Sequence, residues 1–114
     1  MSVTNQKRGE FMSVANRHRG EASLVVGGET LVLRPSFAAL VAAEEELGPL
    51  FALVEQASEG RLSLAQVATL FDHLSAGRPA GIGRSAIGEA VVEQGLVAIA
   101  PLIKCVLGQI LQGR

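Results

Sequence analysis

The sequence predicts an α+β fold: an N-terminal two-stranded hairpin followed by four or five short helices in a small bundle. Three observations carry that reading. Gly27-Gly28 separates two runs rich in aliphatic and β-branched residues. From Ser36 onward, capping residues and stop residues alternate at intervals that suit short helices. The stretch Leu96–Leu111, LVAIAPLIKCVLGQIL, is the most apolar window in the chain, with Lys104 and Gln109 its plainly polar members.

The hairpin comes first. A glycine pair between β-rich runs signals a tight two-residue turn, because both central residues need positive φ. Strands are expected over Ala22–Val26 and Glu29–Leu33. Pairing Val26 with Glu29 sets Leu24 against Leu31 and Ala22 against Leu33, a face that should pack on the helices. Val25 and Val32 then point away from it, with Ser23 and Thr30.

The helices follow in order. Ser36 is a fair N-cap for the first, whose apolar face reads Phe37, Leu40, Val41 and Leu47. Gly48-Pro49 ends it and starts the second, with Pro49 in the first turn and Leu50, Leu53, Val54 and Ala57 inward. Gly60 stops that helix. Ser63 and Gln66 have capping-box spacing for a third, striped by Leu64, Val67, Leu70, Phe71 and Leu74. GRPAGIG, residues 77–83, reads as a flexible connector. Ser85 is expected to cap a fourth helix bearing Ile87, Ala90 and Val91, which Gly95 ends.

The last stretch is expected to be the central helix that the others wrap. At a period of roughly 3.6 residues it puts Leu96, Ile99, Ala100, Ile103, Leu107 and Ile110 on one face. Leu102 and Val106 lie off that stripe. Pro101 has no N–H, so the helix should either start near Val97 or kink before the proline. A spanning helix needs about 20 apolar residues. This run is shorter and carries Lys104 and Pro101, so a membrane span is not expected.

Composition narrows the function. The 114 residues make one domain, read as a disordered arm over 1–15 and a single domain over 16–114. Aromatics are 4% of the chain, with no Trp or Tyr, which leaves few platforms for stacking bases. Net charge is −1, so the molecule as a whole has no pull toward nucleic acid. The one cysteine, Cys105, forms no internal disulfide and fits a reduced cytoplasmic compartment. The first ten residues show no signal-peptide core.

MSVTNQKRGE at residues 1–10 nearly repeats as MSVANRHRGE at 12–21, with seven of ten positions identical. A duplication or a translational start at Met12 accounts for it. The arm is basic, through Lys7, Arg8, Arg17 and Arg19, whereas Glu44, Glu45, Glu46, Glu55 and Glu59 lie between Ser36 and Gly60 with no base among them. A solvated face is the plain reading; a dock for a basic partner is the sharper one.

No motif announces chemistry. GRPAGIGRS lacks the first glycine of a phosphate loop, which falls on Arg78, carries Arg84 in place of the lysine, and follows a helix. His18, His73 and Cys105 have no metal-ligand spacing. Consecutive Glu44, Glu45 and Glu46 fan out on a helix and do not converge. No catalytic residue, cofactor or metal is expected. Protein-interaction residues are expected at Leu102, Val106 and Ile110 on the last helix and at Leu31 and Leu33 on the hairpin, with a twofold homodimer as the result.

An ordered set of short motifs resembles one family. Asn16-Arg17-His18-Arg19-Gly20-Glu21 precedes the hairpin. Leu33-Arg34-Pro35-Ser36 follows it, with Ala39-Leu40 and Glu44-Glu45 next. Gly60-Arg61-Leu62-Ser63 and Gly95-Leu96 come in matching order. Across about Met12–Leu111 the chain resembles the gene transfer agent family of small phage-tail proteins, whose members resemble tail assembly chaperones and are also labelled tail tube proteins. The departures are the eleven extra N-terminal residues and Pro101. The resemblance implies a bacterial, prophage-derived tail assembly protein that binds the long helical tape-measure protein, with no catalytic residues to carry over. Two other roles stay open: a structural tail component that self-assembles and remains in the particle, and a small regulatory or nucleic-acid-binding module acting through the basic arm.

Overall fold

A computed structural model of the protein describes residues 22–112. It contains a two-stranded hairpin, β1 (Ala22–Val26) and β2 (Glu29–Leu33), followed by five helices: α1 (Phe37–Leu47), α2 (Leu50–Ser58), α3 (Leu64–Leu74), α4 (Arg84–Gln94) and α5 (Leu96–Gln112). The arm expected over 1–15 lies outside the described residues, as does the whole N-terminal repeat.

The hairpin has the expected register, with Val26 opposite Glu29, Leu24 opposite Leu31 and Ala22 opposite Leu33. Gly27 and Gly28 have φ of 57° and 84°, the left-handed pair that a twisted two-residue turn demands. Ala22, Leu24, Val26, Leu31 and Leu33 are buried on one face, while Val25 faces solvent. The pleat alone accounts for that division.

The helix starts are set locally. Ser36 Oγ accepts from the Ala39 N–H at 3.2 Å. Ser63 Oγ accepts from the Gln66 N–H at 3.1 Å while Gln66 Oε1 accepts from the Ser63 N–H at 2.8 Å, a complete capping box. Pro49 sits one residue ahead of α2, and the Glu44 carboxylate takes the Leu50 N–H at 3.0 Å. One acid of the acidic stretch is therefore a cap. For α4 the N-cap is Gly83, without a side-chain bond, and Ser85 is already inside the helix.

Two expected faces are corrected. On α1, Phe37 is 84% exposed and Val41 is exposed, whereas Ala39 and Ala43 are buried. Leu40 and Leu47 pack on the core as expected, but the side of α1 that lies on α3 carries the small Ala39 and Ala43 in place of Phe37 and Val41. On α3, Leu64 is half exposed, and Val67, Leu70, Phe71 and Leu74 are buried as expected.

The centre of the molecule is α3, not α5. Six of the eleven α3 residues are buried. It packs between α1 and α4 and touches β2. Only Ile99, Val106 and Leu107 are buried among the seventeen residues of α5, which lies on α4 and β1. α4 and α5 meet at a bend of 119°, and Gly95 at φ 86° makes the corner. α5 begins at Leu96 and continues through Pro101. The proline removes the donor for the Val97 carbonyl, on a turn where Val97 itself is exposed to solvent. No single described helix is long and apolar enough to cross a membrane.

Candidate protein-docking groove

α5 arrives with more apolar surface than the bundle can cover. The corner at Gly95 fixes which side of the helix turns inward. Ile99 and Val106 are fully buried, and Leu102, Cys105 and Ile110 are partly buried against the same core. Among the described residues the other side stays open. Leu96 is 62% and Leu111 55% exposed, with Ala100 and Lys104 exposed between them.

This open side forms one wall of a groove of about 430 Å³. Val54 and Ala57 of α2, Leu62 of the α2–α3 turn and Val67 of α3 line the rest, with Ile103 and Leu107 of α5. Small residues recur along it: Ala57, Gly60, Ala100 and Gly108. They keep the walls low enough for another backbone to approach. Lys104 is the one charged residue in the lining. A shallow aliphatic trough with small residues and a flanking charge suits an amphipathic helix laid along it.

The expected interaction residues divide accordingly. Val106, Leu31 and Leu33 are buried in the chain's own core. Leu102 and Ile110 are partly buried on the same inward side. None of the five lines the groove. The reason is azimuth: a helix apolar nearly all round has no sequence signal for which stripe faces the core, and the Gly95 corner chose the stripe that includes Val106. The groove residues Leu96, Ala100, Ile103 and Leu107 stood in the stripe expected to be most buried. The signal that could have found them is the excess itself, an apolar helix too large for its partners.

The polar residues gather elsewhere, in a network joining α1, α3, α4 and the α3–α4 loop. Arg84 reaches Glu46 with Nη1 at 2.9 Å and Nη2 at 2.7 Å, and Asp72 with Nε at 3.1 Å and Nη2 at 2.9 Å. His73 Nε2 lies 2.6 Å from Glu46 Oε1. The hydrogen bonds from Arg84, then from His73, hold the Glu46 carboxyl at about 2, below its ordinary 4.5. Glu46 and Asp72 in turn push the Arg84 guanidinium up from its already high value.

Arg78 ties down the loop read from sequence as a flexible connector. It donates to the carbonyls of Asp72 at 2.7 Å, Ser75 at 3.3 Å and Ile82 at 2.6 Å, and pairs with Asp72 Oδ1 at 2.5 Å. The last carbonyls of a helix lack intrahelical donors, and a guanidinium supplies several at once. The network is thus a clamp over the α3 C-terminus. Among the described residues no group of three or more His, Cys, Asp or Glu is placed to hold a metal ion.

A family model described as phage tail tube protein, GTA-gp10, matches residues 19–113. No curated protein matches, and no solved structure does.

Proposed function

From the premise that the chain belongs to the phage tail tube protein family of gene transfer agents, we propose that it is a non-enzymatic tail assembly chaperone that holds helical segments of the tape-measure protein in the bacterial cytoplasm before the tube forms around them. The observation that carries this reading is the groove: seventeen residues of helix, apolar nearly all round, with one side left for a partner. Aliphatic grooves with few aromatic anchors accept many amphipathic helices, which suits a long repetitive client. In the absence of the client, the same side of α5 packs against a second copy as a weak dimer, so self-association and client binding compete.

Co-expression with the tape-measure protein of the same gene cluster tests this. The two should co-purify, and Leu96→Asp with Leu111→Asp should abolish the complex while the far-UV spectrum is retained. Co-purification that ignores both aspartates would refute the groove as the binding surface. Light scattering should show wild-type dimer dissociating in the same variant.

The family's description as tail tube proteins favours a second reading, a structural tail component. Mature particles separate the two. A chaperone is absent from them, and a structural component is present at a stoichiometry set by the tube.

A further inference from the structure

The groove beside α5 carries one charge. Lys104 is exposed in its wall, and among the described residues no carboxylate lines it. Lys104 makes no hydrogen bond or ion pair with any described residue. Arg61, Arg78 and Arg84, by contrast, each pair with a carboxylate. α5 itself contains no acid over Leu96–Gln112.

The neighbours of Lys104 in the groove are small. Ala100 lies one turn before it and Gly108 one turn after, and both line the groove. Residues 100, 104 and 108 form an i±4 row with two low ends, along which an i±4 ridge of a second helix fits. The low points are roughly 12 Å apart along α5, eight residues at about 1.5 Å each. The ammonium stands midway between them, on a stem that covers apolar surface and keeps the charge in water.

We propose that Lys104 is the specificity-determining residue of the groove, and that it selects a client helix whose apolar stripe is interrupted by one Asp or Glu. This inference rests on the groove reading above. The client sets a large aliphatic side chain over Ala100, a carboxylate against Lys104 four residues away, and a second large aliphatic over Gly108 after four more. The pattern is symmetric about the acid, so it holds for either direction of the client. A lysine or arginine at the middle position meets a like charge where water is partly excluded, and is rejected. Two α5 helices packed together offer Lys104 no acid, so an acidic client displaces the second copy.

The full chain is titrated with fluorescently labelled amphipathic helical peptides that differ at one position. In each, two leucines of the apolar stripe stand eight residues apart, with glutamate, glutamine or lysine midway. Anisotropy should rank their affinities in that order, with about fivefold between the first and the last at low salt. The gap should close at about 1 M salt, where exposed charges are screened. A glutamate moved two positions, to the far side of the peptide, should lose the advantage. Lys104→Glu should invert the order and Lys104→Gln should level it; the site is exposed, so both variants fold. Equal affinities in the wild type, or an order unchanged in Lys104→Glu, would overturn the role of Lys104. The groove reading would stand in that case, provided that Leu96→Asp with Leu111→Asp still abolishes binding of every peptide. No saturable binding of any peptide would remove the groove reading, and this inference with it.

Discussion

α3 and α5 invert the order that apolarity alone would give. α5 is the more apolar helix and the longer one, yet only three of its residues are buried. α3 carries Gln66, Thr69, Asp72 and His73 within eleven residues, yet six are buried. The difference lies in neighbours. α3 has α1 on one side, α4 on another and β2 at its end. Among the described residues α5 leans chiefly on α4 and β1. Burial follows the number of elements that arrive around a helix. Apolar surface left over after that is available to partners.

The largest expected effect tests the inward side of α5. Val106→Asp places a carboxylate where no surface is exposed and no cation waits, and should cost several kcal/mol, on the order of the whole stability of a small domain. Loss of the cooperative thermal transition is the readout. A folded Val106→Asp protein would mean that α5 is held as loosely inside as outside.

Phe71→Ala comes next. Phe71 is the largest fully buried side chain, and its removal from α3 should cost about 3–5 kcal/mol by urea titration. Leu96→Ala on the open side of α5 should change the same midpoint by less than about 0.5 kcal/mol. Equal effects would erase the distinction between the two helices.

Ser63→Ala sharpens the contrast at the helix starts. It deletes half of the α3 capping box and should cost about 1 kcal/mol.

The smallest effect is the acid response of the clamp on α3, since Arg84 and Glu46 are both well exposed. The folded carboxyl of Glu46 titrates at about 2 against an ordinary 4.5. A depressed carboxyl contributes stability above its ordinary value and loses it as pH falls toward the folded one. The wild-type urea midpoint should therefore fall between pH 4.5 and 2 by more than that of Glu46→Gln. Parallel curves would show that Glu46 adds nothing to the clamp.

The residues legible in advance are those whose partners lie within a few positions. The hairpin register followed from Gly27-Gly28 and the pleat. The caps at Ser36 and Ser63 followed from side chains that reach the next turn. Leu53, Val67, Phe71, Ile87 and Val91 were placed inward by simple periodicity. Family membership was legible too, in a string of short motifs that local order preserves.

What only the tertiary structure decided is everything that depends on distant neighbours. Phe37 faces solvent because α1 turns Ala39 and Ala43 inward, with Leu40 and Leu47 packed at the edge of the core. Arg78 became a clamp because the α3 carbonyls it satisfies are brought under it by the loop. Val106 went inward, and Leu96 and Ala100 outward, because the turn at Gly95 sets the rotation of α5. Periodicity gives the angle between side chains on one helix. It carries no information about which of those angles points at the rest of the protein.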